Sequence, residues 1–142
     1  MALREDLEML LREKGYKMTR QRVILFELLA QAQPLTTADL IIRLKGQMDR
    51  VSVYRTIDLF VSLGIVQRVS HGWKYRLELS DRFVRHHHHF TCLACRRIVN
   101  VDDRELEDSI GLMAKRQKLT VTAHQVEIQG YCLTCTQAFN NA

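Results

Sequence analysis

The stretch His86-His87-His88-His89-Phe90-Thr91-Cys92-Leu93-Ala94-Cys95 decides how this chain is organised, because it places two kinds of metal ligand within ten residues. Cys92 and Cys95 form one C-x-x-C knuckle, and Cys132 and Cys135 form a second, with 36 residues between them. Two such knuckles can converge on one tetrahedral ion, and no cysteine is left over. Disulfides or isolated redox motifs are the alternative, and the paired spacing favours structural Zn2+. Thiolates bind the ion only when deprotonated. The binding free energy then becomes folding free energy for a half of the chain with few large apolar residues.

The histidine run is internal and ends three residues before Cys92, which separates it from a purification tag. In an extended segment successive side chains face opposite sides, so His86 and His88 point one way and His87 and His89 the other. Glu107 and His124 are the groups available to complete the first set. Three imidazoles and one carboxylate suit Zn, Fe or Mn. On the other face, His87 and His89 are expected to look towards Glu78 and His71. A metal there would tie the two halves of the chain together, as a switch requires, since an ion shifts an equilibrium only by binding one geometry better. The ordinary alternative is a strand of exposed histidines that binds nothing.

Working outward, His86 to Cys92 and Ile98 to Val101 are expected as strands around the first knuckle. Glu105 to Lys118 is expected as a helix with Leu106, Ile110 and Met113 on one side, and Val121 to Ile128 as an alternating strand leading to Gly130 and the second knuckle. Towards the amino terminus, Ser80 to Arg85 lacks periodicity and is a candidate hinge. Before it, Leu3, Leu7, Leu10 and Leu11 recur at helical spacing up to Gly15. Thr19 can cap a second helix through Val23, Phe26 and Leu29, ended by Pro34. Thr36 or Thr37 caps a third through Leu40, Ile41 and Leu44. After a turn at Gly46 to Asp49, Val53, Ile57 and Phe60 mark a fourth helix that stops at Gly64. Ile65 to Val69 and Lys74 to Leu79 then flank His71-Gly72 as a hairpin. The division expected is 1–79, a hinge at 80–85, and 86–142.

Helices followed by a hairpin describe a winged helix-turn-helix, whose last helix enters the major groove of DNA. Arg50, Ser52, Tyr54, Arg55 and Thr56 cluster at the start of the fourth helix, where base and phosphate contacts are made. Lys14, Arg20 and Arg22 are placed to reach phosphates from flanking elements. Of the net charge of +5, residues 1–80 hold 13 Lys+Arg against 9 Asp+Glu, and the remainder 8 against 7. The excess lies with the proposed reading helix, although a solvated surface would show the same modest balance. No apolar stretch approaches the roughly 20 residues of a membrane span, and the first residues lack a signal-peptide core, so a cytoplasmic protein is expected.

H-H-H-H-F-T-C-L-A-C, Glu107, His124 and G-Y-C-L-T-C together resemble the ferric uptake regulator family of metal-dependent repressors. M-T-R-Q-R at Met18 to Arg22, S-V-Y-R-T at Ser52 to Thr56 and L-G-I-V at Leu63 to Val66 extend the resemblance over essentially the whole chain. It implies an α+β protein with an N-terminal winged-helix domain and a small α/β dimerisation domain carrying a four-cysteine zinc site. It also implies a homodimer that represses metal-uptake genes by binding an inverted-repeat operator when metal-loaded. By similarity Tyr54 and Arg55 contact DNA and Lys14 enters the minor groove. Cys92, Cys95, Cys132 and Cys135 would hold structural Zn2+, with His86, His88, Glu107 and His124 a dimerisation-domain site. Glu78, His87 and His89 would be the interdomain sensor.

Three positions depart from the iron-sensing pattern. His88 replaces an acidic residue in the run, Asn100 a glutamate after the second cysteine, and Pro34 a histidine before the third helix. The remaining His-rich donor set favours Zn2+ over Fe2+ or Mn2+ as regulatory ion, resembling zinc uptake regulators, although those commonly use a sensor cysteine and none is spare here. Iron, manganese or peroxide sensing within the family are the alternatives. A zinc hydrolase is a more distant one, since no H-E-x-x-H helix or nucleophile motif accompanies the histidines. No enzymatic activity is expected.

Overall fold

The computed structural model describes residues 2–31, 33–71 and 74–141, without the side chains of Ala2 and His71. The expected His71-Gly72 turn and the His71 ligand therefore lie outside the described residues. The chain forms two compact units, one ending at Arg85 and the other beginning at His86.

The first unit contains α1 (Ala2–Glu13), α2 (Arg20–Gln31), α3 (Thr37–Arg43), α4 (Arg50–Ser62), β1 (Val66–His71) and β2 (Lys74–Leu79). Its core is aliphatic and aromatic. Leu7, Leu10 and Leu11 of α1, Phe26 of α2, Leu40 of α3 and Phe60 of α4 are all buried in one cluster, while Leu3, expected on the same stripe, is 39% exposed. Asp49 caps α4 by accepting from the Ser52 N–H at 2.9 Å. Its other end closes on Gly64 at φ 67°, where the Gly64 N–H reaches the Val61 carbonyl and the Ile65 N–H the Phe60 carbonyl. This is the left-handed cap that glycine adopts without strain. β1 and β2 pair antiparallel, and Leu35 adds a rung by exchanging two backbone hydrogen bonds with Leu77. Residues 80–85 form a turn whose Phe83 is buried edge-on against Phe26, 5.2 Å between ring centroids. The segment expected as a hinge is thus anchored in the first unit by that ring.

The second unit contains β3 (His88–Cys92), β4 (Ile98–Val101), α5 (Arg104–Gln117), β5 (Glu127–Gly130) and α6 (Leu133–Asn140). Its sheet has the order β4-β3-β5, with β4 antiparallel and β5 parallel to β3. The expected strand over Val121–Ile128 is a correction: only Glu127 onward pairs, because β3 offers its free edge to Glu127 through Gly130 alone. His124 therefore sits in the irregular segment before β5. The short α6 was not anticipated, since its eight residues, which begin inside the second knuckle, carry little periodicity.

Candidate functional site

The four cysteines come together. Cys92 ends β3, Cys95 follows in the turn, Cys132 caps α6 and Cys135 lies in its first turn. Their sulfurs all lie within 4.8 Å of one another, with Cys95 Sγ and Cys132 Sγ 3.9 Å apart. A tetrahedral zinc with Zn–S of about 2.3 Å requires sulfur separations of about 3.8 Å, so the set fits that ion. The local electrostatics point the same way. The Cys132 N–H donates to Cys92 Sγ at 3.4 Å. That bond, with further backbone N–H groups from Cys95 and Ala94, draws the Cys92 thiol down to about 6. Crowding by Cys132, burial and the other two sulfurs instead push Cys135 up to about 12. Without a cation, one negative charge suppresses the next. A divalent ion removes that conflict.

The second cluster also assembles. His88 Nε2 lies 2.7 Å from Glu107 Oε1, His124 Nε2 lies 3.0 Å from Glu107 Oε2, and His86 Nε2 lies 3.1 Å from His124 Nε2. All four ligand atoms fall within 4.8 Å of one another. Alternation produced the parity expected: the rings of His86 and His88 are 4.8 Å apart, as are those of His87 and His89. Burial works to raise the Glu107 carboxyl, but hydrogen bonds from His88 and His124 and the charges of His124 and His86 outweigh it and lower its pKa. The Val126 N–H donates to His88 Nδ1 at 3.3 Å, which orients the ring with Nε2 facing Glu107.

Of the remaining expected ligands, Glu78 lies on β2 in the first unit, where it is 6% exposed and accepts from Gln67 Nε2 at 2.7 Å. In the second unit, His89 is buried in β3 and His87 is half-buried just before it.

On α4, Arg50, Tyr54 and Arg55 are exposed. Ser52 is half-buried, and its hydroxyl donates to Asp49 at 2.5 Å, which commits it to the helix cap. Thr56 is a correction. It is 8% exposed and shares the buried side of α4 with Val53, Ile57 and Phe60, as its spacing of three residues from Val53 already signalled. Between the start of α2 and α4 lies a cleft of about 220 Å³, lined by Thr19, Gln21, Arg22, Ser52, Arg55, Thr56 and Leu59. Arg20 lines a neighbouring cleft with Gln47. Arg22 binds the Lys17 carbonyl and sits over the Tyr16 ring, 5.5 Å from its centroid, so it also braces the turn before α2. Lys14 is exposed beside Glu13, 3.4 Å away.

The profile of the ferric uptake regulator family matches residues 13–129. This chain belongs to that family. The ferric uptake regulation protein of Vibrio parahaemolyticus is 31% identical over 133 residues, covering 89% of this chain and 88% of its own. The peroxide operon regulator of Bacillus subtilis is 31% identical over 146 residues, covering 98% and 97%. The ferric uptake regulator of Helicobacter pylori, whose structure is described as revealing three functional metal binding sites, superposes with a TM-score of 0.79 at 23% identity, covering 95% of this chain and 92% of its own. The ferric uptake regulator family consists of metal-responsive, DNA-binding transcriptional regulators rather than enzymes, and the α+β architecture of a winged-helix domain followed by a small α/β domain is shared. No helix among the described residues is long and apolar enough to cross a membrane.

Proposed function

We propose that this protein is a homodimeric repressor of metal-uptake genes that binds an inverted-repeat operator in double-stranded DNA when loaded with metal, with Zn2+ as the sensed ion. The chemistry of the donor sets carries this reading: beyond the four thiolates, the candidate ligands are five histidines against two carboxylates, a set suited to zinc. In this reading Cys92, Cys95, Cys132 and Cys135 hold structural zinc, and His86, His88, Glu107 and His124 form the dimerisation-domain site. Glu78, His87 and His89 form the sensor, where a bound ion supplies positive charge shared by the two units. Residues 80–85 join the reading domain, 1–79, to the dimerisation domain, 86–142. Glu78 contributes a buried carboxylate from the end of the hairpin, and His87 and His89 contribute paired rings from the start of the following domain. In this reading an ion acts as a switch by binding one geometry of these groups better than another.

Lys14, Arg20, Arg50, Tyr54 and Arg55 contact DNA, with Tyr54 and Arg55 at bases and the others at phosphates. Dimerisation through the second unit is supported by its exposed apolar side chains, among them Leu112 at 59%, Leu133 at 73% and Phe139 at 56%. The protein acts in the cytoplasm.

The test is binding to a duplex selected from a random library, by protein that retains its cysteine zinc, titrated with buffered Zn2+, Fe2+ and Mn2+. Zinc should switch binding on at the lowest free concentration. His87→Ala or His89→Ala should leave a folded dimer whose DNA binding no longer responds, and a full response removes the sensor assignment. The likeness to a peroxide operon regulator supports a second reading, peroxide sensing through iron. Anaerobic Fe2+ loading, then peroxide, separates the two: oxygen added at His87 or His89, read by mass spectrometry, favours the second.

A further inference from the structure

The cationic face of α4 contains one residue that phosphate contact does not account for. Val51, in the first turn, is 58% exposed. At about 100° per residue, Val51 falls about 160° from Val53 around the helix, between Tyr54 at about 100° and Arg55 at about 200°. It therefore points away from the buried face formed by Val53, Thr56, Ile57 and Phe60. The fold gains little from it, because a β-branched residue has lower helix propensity than alanine and Val51 lies outside the buried core cluster. Arg50 precedes it and Arg55 follows one turn later, so two methyl groups sit between two guanidinium groups. Asp58 lies on the same side further along the helix, and its carboxylate disfavours approach of phosphates to that end. The amino-terminal turns are left as the part that meets the groove.

A central apolar spot flanked by cations complements the major groove, where phosphates line the edges and the C5-methyl of thymine is the apolar group on the floor. We propose that Val51 is a specificity-determining residue whose methyl groups pack on the C5-methyl of one thymine in each half-site. The proposal rests on the reading of α4 as the DNA-reading helix and deepens it.

The experiment removes the methyl group from the DNA and from the protein independently. Zinc-loaded protein selects duplexes from a randomised library, and each thymine of the enriched duplex is replaced in turn by deoxyuridine, which lacks only the methyl. The wild type should lose about threefold to tenfold in affinity at one thymine per half-site. Val51→Ala and Val51→Ser, checked for folding by circular dichroism, should bind the thymine duplex with a similar loss and no longer distinguish deoxyuridine at that position. Sensitivity at other thymines should be unchanged. Discrimination retained by both variants at every thymine overturns the proposal, as does a wild type indifferent to every deoxyuridine. Uniform weakening with discrimination intact also overturns it, by showing a structural role. Failure to enrich any duplex instead overturns the DNA-reading role of α4, and Val51 falls with it.

Discussion

Among the described residues, the first unit buries leucines, isoleucines, valines and phenylalanines in one continuous cluster, whereas the second buries Cys92, His88, His89, Thr91 and Ala114. Both units are built from ordinary helices and strands, but what fills them differs. Burial of apolar surface is non-directional and operates whenever water is excluded. Thiols and imidazoles are different: drawn together without a cation they repel or compete for protons, and with one they form strong, directional bonds. The second unit also leaves Leu112, Leu119, Leu133 and Phe139 exposed. Its stability is therefore expected to depend on what binds it, and that of the first unit on its own packing.

The largest test of this contrast is Cys92→Ser. With one thiolate gone, the zinc-linked folding energy, on the order of 10 kcal/mol for structural sites, should be lost. Limited proteolysis should then cut within 86–142 while the first unit stays protected, and equal protection of both would break the comparison. The converse change is Phe60→Ala, which opens a cavity in the first core and should cost about 3–5 kcal/mol. Denaturant unfolding should show the loss in the first unit with the zinc content unchanged. Next is Ile128→Lys on β5, an edge strand at 39% exposure without proline or lysine to protect it. If a second copy covers this surface, sedimentation should show a weakened dimer by about 1–3 kcal/mol; a change within about 0.5 kcal/mol would mark it as ordinary solvated surface.

The smallest effect concerns the cap of α3. Thr36 donates to Asp39 from its hydroxyl and its N–H, and these bonds lower the carboxyl pKa below 3.8 against partial desolvation. A depressed folded pKa stabilises above the unfolded value and loses that stabilisation as pH falls through the folded one. Asp39→Asn should therefore cost about 1 kcal/mol near pH 7, and the difference from wild type should shrink below about pH 4 in thermal melts.

Much of the fold was legible because its signals are local. Gly15 and Gly64 mark helix ends through a positive φ, and Val53, Ile57 and Phe60 mark a buried face by spacing. Thr56 was readable too, since its place beside Val53 on the helix puts it inward, yet the polarity of its neighbours in sequence suggested a DNA contact. The caps Asp49 of α4 and Thr36 of α3 were signalled by their partners three positions on, Ser52 and Asp39. The limits of β5 and the existence of α6 were not readable, because pairing with β3 and the closure of the second knuckle set them.

For the metal centres, the sequence alone determined parity and pairing. Alternation in an extended chain sorts four histidines into two pairs, and C-x-x-C brings two sulfurs to one point, both consequences of covalent geometry. The tertiary structure decided which distant groups join them. Glu107 is carried to His88 by α5, and His124 arrives on an irregular segment held by β5. Those meetings depend on how helices and strands pack across long loops, which no local spacing encodes.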